Sequence, residues 1–204
     1  MAGETGRPRN AAVNDAVLGA TVVLLGERGY QGLRINDVAE RSGVAKTTVY
    51  RRWPTLTHLV VAAMEHALGQ RDIEPTGNLG MDLDRMICAG YGALVGGGMS
   101  LLAVALDLHS HADAQLRAAY RRRIIDPIRS RGITLLEDAM RRGEIHDSVD
   151  PEVVVDAVIG GLVYRAAILA EPLGVEEACA FSRRVVGLTC KTIAFSLARG
   201  NLDQ

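Results

Sequence analysis

Residues 33–59 read Leu33-Arg34-Ile35-Asn36-Asp37-Val38-Ala39-Glu40-Arg41-Ser42-Gly43-Val44-Ala45-Lys46-Thr47-Thr48-Val49-Tyr50-Arg51-Arg52-Trp53-Pro54-Thr55-Leu56-Thr57-His58-Leu59, and this stretch decides the fold. Val38 and Ala39 supply the apolar side of a short helix whose other positions, Asn36, Asp37, Glu40 and Arg41, are polar. Gly43 closes that helix where the chain turns through a left-handed conformation, which glycine adopts without a Cβ penalty. Ala39, four residues earlier, is small enough to let a second helix cross closely. That helix, about Lys46 to Arg52, buries Val49 together with Val44 just before it. It leaves Lys46, Thr47, Thr48, Tyr50 and Arg51 facing outward. A short exposed helix carrying cations, hydroxyls and one aromatic against a partner helix suits the major groove of DNA. The competing reading is a solvated helical hairpin, but Ala-x3-Gly-Val at this spacing is more specific than an amphipathic pattern alone.

Outward from this motif, Asn10 can cap a first helix reaching about Gly29, with Val13, Val17, Ala20, Leu24 and Leu25 buried. Residues 1–9 read as a flexible arm whose Arg7 and Arg9 either enter a minor groove or touch nothing. Pro54 fits the start of a fourth helix from Thr55 to about Gln70. Pro75, Gly77 and Gly80 mark Asp72 to Gly80 as a linker between domains at 1–70 and 81–204. Five further helices are expected, at about 81–95, 99–109, 113–142, 151–171 and 175–199, with Pro127 bending or splitting the third near Asp126. Gly96-Gly97-Gly98 separates the first two and lacks the spacing of a phosphate loop. Arg121-Arg122-Arg123 reads as a solvated helical face.

With 204 residues, the chain can bury a real core in one domain or two. Hydrophobic residues make up 48% and aromatics only 4%, so the core is aliphatic and the fold class expected is all-α. The net charge of −1 does not itself suggest nucleic acid. Its distribution does: residues 1–71 hold nine Lys/Arg and six Asp/Glu, the remainder fourteen and eighteen. A modestly basic head on an acidic body suits a DNA reader. Cys88, Cys179 and Cys190 show no metal spacing and read as reduced thiols of a cytoplasmic protein, a redox-sensor role being the other reading. No signal peptide or membrane span is read.

The stretch Gly29-Tyr30, Ile35-x2-Val38-Ala39-x3-Gly43-Val44-x-Lys46-x2-Val49-Tyr50-x2-Trp53-Pro54 resembles the N-terminal domain of the TetR family of transcriptional regulators. The resemblance implies a three-helix DNA-binding domain with helix-turn-helix and a C-terminal helical ligand-binding and dimerisation domain. It implies a homodimeric, ligand-released repressor on a palindromic double-stranded operator, with a small-molecule effector as second partner. Three positions depart from the family pattern: Arg34 replaces a capping Thr or Ser, Ala45 a capping Ser, and Leu56 a Lys that meets the DNA backbone. On this reading Arg34 stands in for the cation missing at Leu56. Thr47, Thr48 and Arg51 are the candidates for base edges, and Lys46, Tyr50, Arg34 and His58 for phosphates.

The C-terminal half is less specific. Val154, Val155, Val158, Ile159, Leu162, Val163 and Ala166 form one apolar stripe, and Phe181, Val185, Leu188, Thr192 and Phe195 another. These suggest an intersubunit bundle through Val158, Leu162, Phe181, Val185, Leu188 and Phe195, or an intrachain core. Gly160-Gly161, unfavourable within a helix, calls for a close crossing. A mainly apolar effector pocket is expected from Tyr91, Met99, Leu106, His109, Tyr120, Ile124 and Tyr164, with Arg165 as charge partner. His109-x-His111-x-Asp113 resembles part of a metallo-hydrolase motif, but Asp113 reads better as a helix cap. No catalytic residues, metal or cofactor are expected. The rival to a regulator is a helical small-molecule-binding or scaffolding protein with a vestigial DNA-binding head.

Overall fold

The computed structural model describes residues 7–69, 74–95 and 101–200, with side chains from 11 to 188. Among these residues there are ten α-helices, one π-helical turn and no strand, as an aliphatic, proline-poor chain leads one to expect. They divide into two compact units: 1–70 with 93–125, and 71–92 with 126–204. Helices expected to belong to the C-terminal domain therefore pack with the head.

The first unit is built on α1 (Arg7–Gly32), α2 (Ile35–Ser42), α3 (Lys46–Arg52) and α4 (Leu56–Leu68). Helix α1 starts before Asn10, which lies within its first turn rather than at its cap. Val17, Leu18, Ala20, Leu24 and Leu25 form its buried face. Gly29 interrupts α1 at φ 67° and ψ 176°. There the Tyr30 amide donates to Asp107 Oδ2 at 2.6 Å, and a Cβ on Gly29 would stand 3.1 Å from the same oxygen. Asp107 belongs to α6 (Leu101–His111), which thus grips the break in α1.

Helix α4 is capped by Thr55, whose hydroxyl accepts the His58 amide at 3.2 Å, and ends at Gly69 with φ 70°. Its Leu59, Val60, Val61, Ala63 and Met64 are almost wholly covered. Asp113 caps α7 (Ala114–Tyr120) through the Leu116 amide at 2.8 Å. A π-helical turn, Arg121–Ile125, follows at once, and α8 (Asp126–Arg141) carries Pro127 in its first turn. Proline has no N–H to give and its ring displaces the carbonyl one turn back, so the helical ladder changes register just ahead of it. The split at Asp126 falls where the sequence places it.

The second unit contains most of α5 (Leu79–Val95), with α8, α9 (Pro151–Ala167) and α10 (Val175–Gly200). Asp150 caps α9 through the Glu152 amide at 2.9 Å. Helix α9 ends at Ala167, four residues early, where the chain turns out through Ile168 and Ala170 at φ 55°. Helices α8 and α9 meet closely: a Cβ on Gly132 would lie 2.9 Å from Val155. Arg129 on α8 binds Asp156 and Glu152 on α9, each at 2.8 Å. Gly161 explains the glycine pair, since a Cβ there would lie 2.5 Å from Cζ of Phe181 on α10. Gly160 is exposed, and a Cβ there would meet nothing within 4 Å among the described residues.

Candidate DNA interface and effector cavity

Helices α2 and α3 pack on one another, each with one fully covered valine, Val38 and Val49. Gly43 joins them at φ 67° and ψ 15°, its amide donating to Glu40 O at 3.3 Å. Neither helix has a side-chain N-cap: Arg34 and Ala45 make none, which leaves α3 without about 1 kcal/mol of local support. Tertiary ties replace it. Arg52 Nη1 donates to Asn14 Oδ1 on α1 at 2.6 Å, and Trp53 is buried behind α3. Arg28 pairs with Asp37 at 2.7 Å, and Arg41 with both oxygens of Glu27 at 2.6 and 2.9 Å. Arg41 holds the Glu27 carboxyl below the usual range. Arg28, Arg41 and Arg52 thus hold the three-helix frame together.

The opposite face of α3 is open. Lys46, Thr47, Tyr50 and Arg51 are exposed and Thr48 is half-covered. The Lys46 ammonium lies 5.7 Å from the Tyr50 ring centroid, which steadies both side chains one turn apart. His58 is exposed at the start of α4, its Nδ1 2.8 Å from the Thr55 hydroxyl. Arg34 is exposed, but its Nη1 donates to the carbonyls of Gln31 at 2.7 Å and Leu33 at 2.9 Å, finishing the end of α1. Leu56 is half-covered in the first turn of α4.

The expected effector residues are not gathered into one cavity. In the first unit, Ile124 is buried, Tyr120 half-covered, and Leu106 and His109 exposed. In the second, the Tyr91 hydroxyl donates to Leu173 O at 3.2 Å and accepts Leu173 N at 3.1 Å. Tyr91 is therefore a clasp on the segment ahead of α10; burial pushes its phenol up. Tyr164 is 53% exposed, and Arg165 pairs with Glu171 at 3.3 Å. Met99 lies outside the described residues.

The second unit instead holds a cavity of about 480 Å³ between α5 and α8. Met86, Ala89, Gly90, Ile128 and Leu135 form its apolar wall, and Glu74, Asp82, Ser130, Arg131, Thr134 and Asp138 contribute polar groups. Of the expected effector residues that are described, none is in this lining. Asp82 is buried and already employed: its carboxylate accepts Thr76 N at 2.7 Å, Thr76 Oγ1 at 2.6 Å and Gly77 N at 3.2 Å. Burial pushes its carboxyl up, but these donors and Arg85 outweigh burial and hold it below the usual range. Asp138 pairs with Arg141. An Asp shortly after the Pro75-Thr76-Gly77-Asn78 turn is a usable sequence signal for this loop; the apolar wall, spread over two helices, has none.

The stripes at the C-terminus also resolve. Val158 and Leu162 are buried within their own chain, so the expectation that they meet a twin is corrected: both belong to the core, and Val158 faces α8. Phe181 packs on Gly161, Val185 is half-covered, and Leu188 is 65% exposed. The side chain of Phe195 lies outside those described. On α9 the exposed residues Val153, Ala157, Gly160 and Tyr164 follow at steps of three or four, with Ile168 next beyond the helix end, all on one face. His111 pairs with Asp107 at 2.8 Å at the end of α6. Among the described residues no group of three or more His, Cys, Asp or Glu is placed to hold a metal ion, and no helix is long and apolar enough to cross a membrane.

Residues 17–63 match the family described as bacterial regulatory proteins, tetR family, and residues 73–185 match the tetracyclin repressor-like C-terminal domain. An HTH-type transcriptional regulator of Mycobacterium tuberculosis is 31% identical over 76% of this chain and 77% of its own length. YdeS, an HTH-type transcriptional regulator of Bacillus subtilis, is 27% identical over 84% of this chain and 86% of its own. The crystal structure of FadR from Bacillus subtilis in complex with stearoyl-CoA shares the fold, with a TM-score of 0.69 and 20% identity over 86% of this chain and 96% of that one. A head that presents α3 to the outside, followed by the matching C-terminal domain, makes this chain a DNA-binding transcriptional regulator of the TetR family.

Proposed function

We propose that the chain is a repressor that binds a palindromic operator as a homodimer and is released by a small-molecule effector. Residues 1–70 act as the reading head, and 81–204 as the effector and dimer domain. The observation that carries the reading is the outward face of α3, where Lys46, Thr47, Tyr50 and Arg51 are exposed on a helix anchored from behind by Val49 and Arg52. Thr47, Thr48 and Arg51 read base edges; Lys46, Tyr50, Arg34 and His58 contact phosphates and set the register. The exposed His58 ring has its Nδ1 2.8 Å from the Thr55 hydroxyl, which leaves Nε2 for a phosphate.

The dimer face is the outward stripe of α9, Val153, Ala157, Gly160, Tyr164 and Ile168, joined by Leu188 of α10. Gly160, with no side chain, lets a twin helix approach closely there. The effector enters the cavity between α5 and α8, whose volume suits a drug-sized molecule. FadR holds an acyl-CoA; here the carboxylates of Glu74, Asp82 and Asp138 outnumber the single Arg131 in the lining, which favours an apolar effector whose polar end donates hydrogen bonds over a polyanion. Binding shifts the spacing of the two heads, so both cannot engage their half-sites at once. Acting on DNA, the protein works in the cytoplasm and carries out no catalysis.

The test is selection from random duplexes with the purified protein. An enriched inverted repeat, bound by one dimer and lost in Arg51→Ala, is the expected result. Recovery of no enriched sequence, with only salt-sensitive binding to any duplex, would overturn the operator reading.

A further inference from the structure

Helices α5 and α10 run antiparallel along a seam with a contact at every turn. Asp84 pairs with Arg183 at 2.7 Å. One turn on, Cys88 and Cys179 bring their sulfurs to 3.7 Å. One turn further, Gly92 faces Val175, whose Cγ2 would lie 3.5 Å from a Cβ placed on the glycine. The two cysteines are 91 residues apart in sequence, so no local spacing announces them.

We propose that Cys88 and Cys179 are a redox modification site, closed into a reversible intrachain disulfide by a hydroperoxide. A disulfide needs sulfurs about 2.05 Å apart, so the pair must approach by roughly 1.6 Å, a movement of rotamers and helices rather than refolding. The seam allows it, because Gly92 presents no side chain to resist α10. The ion pair Asp84–Arg183 keeps the register in which the sulfurs meet.

The two thiols differ in the way a peroxide-sensing pair requires. Cys88 is exposed, whereas Cys179 is buried. Burial and the neighbouring sulfur push the Cys179 thiol up to about 11, so it stays protonated and inert toward solvent oxidant. The step therefore starts at Cys88. Its sulfur, after losing its proton to solvent, attacks the outer peroxide oxygen; the O–O bond breaks, an alcohol or water leaves with a proton, and Cys88 becomes a sulfenic acid. Cys179 then attacks that sulfur. The S–S bond forms, the S–O bond breaks, and the hydroxyl leaves as water with the Cys179 proton. Two thiols and one hydroperoxide give one disulfide, one alcohol and one water. A cellular dithiol reverses the change by exchange.

The flank of α5 away from α10 carries Asp82, Met86, Ala89 and Gly90, which line the cavity. A bond at Cys88 thus ties the cavity wall to α10. Leu188 lies on the opposite side of α10 from Cys179 by helical geometry, so the proposed dimer face does not cover the pair.

The experiment uses the full chain with Cys190→Ser, treated with hydrogen peroxide and read by intact mass, linked-peptide mapping and deuterium exchange. The expected result is loss of two hydrogen masses per chain, a single Cys88–Cys179 peptide pair, unchanged oligomer size, reversal by dithiothreitol, and slowed exchange in α5. Cys179→Ser with Cys190→Ser should stop at a sulfenic acid on Cys88 that dimedone traps. Cys88→Ser with Cys190→Ser should remain unmodified. Cys88 passing to sulfinic acid while Cys179 is present, disulfides only between chains, or unaltered α5 exchange after closure would each overturn the proposal.

Discussion

The α2–α3 pair and the α9–α10 pair are both helix crossings, and they use their buried surface differently. In the head, α3 is seven residues long and buries one of them, Val49, so burying Val49 turns Lys46, Thr47, Tyr50 and Arg51 outward. In α9, seventeen residues are apolar almost all the way round. One side, Val154, Val155, Val158 and Leu162, is spent on the chain's own core, and the other, Val153, Ala157, Gly160 and Tyr164, stays in view. A short amphipathic helix has one way to sit. A long helix apolar on both sides has two, and only its neighbours choose between them.

The hardest blow to this contrast falls on its simplest member. Val49→Asp places a carboxylate in a fully covered position and should destabilise the head by about 3–5 kcal/mol. Thermal unfolding followed by circular dichroism should show an early transition, with DNA binding abolished. A variant that melts like the parent would mean that α3 does not depend on its single buried side chain.

The glycine pair separates the two sides of α9. Gly161→Ala pushes a methyl group to within 2.5 Å of the Phe181 ring and should cost roughly 1–3 kcal/mol. Gly160→Ala meets nothing among the described residues of its own chain and should stabilise the chain by about 1 kcal/mol through helix propensity. If a twin seats on that face, the same methyl group should weaken the dimer of 21.8 kDa chains, as should Tyr164→Glu. Light scattering across a dilution series decides. A dimer indifferent to both substitutions would move the interface elsewhere.

Legibility in the sequence follows the same division. The left-handed Gly43, the Asp113 cap, the break ahead of Pro127 and the outward set on α3 each rest on a local rule, and all are found. Val158 and Leu162 suit either a twin or the chain's own core in the sequence, because periodicity marks an apolar face without saying which partner covers it. The cavity escaped because Met86 and Leu135 meet only in the folded chain, and because Tyr91, the natural choice for a pocket wall, spends its hydroxyl on Leu173. Asp107 escaped too: its role at the break in α1 depends on a contact 77 residues away.

On α3 itself the effects should be confined to binding. Arg51→Ala and Tyr50→Ala remove exposed groups and should leave the melting temperature unchanged. Each should cost about 1–3 kcal/mol of operator affinity, roughly ten- to a hundredfold. The loss at Arg51 should fall on one base position and relax specificity there, whereas Tyr50 should weaken all duplexes alike. Equal binding of both variants to a selected operator would remove α3 from the groove.

The smallest effect concerns Arg34, where two roles compete for one guanidinium. Its Nη1 donates to Gln31 O and Leu33 O, closing the end of α1, and Leu56 stands where a backbone-binding cation would be expected. A guanidinium has five N–H donors, so finishing a helix end leaves others for a phosphate. If Arg34 serves DNA, Arg34→Thr should weaken operator and random duplexes about equally. It should also make the log–log salt dependence shallower by roughly one unit for each half-site. Leu56→Lys should then recover part of the affinity, since it returns a cation to the start of α4. If Arg34 only closes α1, the salt slope should stay where it was while the head melts a few degrees lower, the cost of two lost hydrogen bonds to backbone carbonyls being about 1 kcal/mol each. The slope and the melting temperature respond to different atoms of the same side chain, so measuring both on one variant assigns the role.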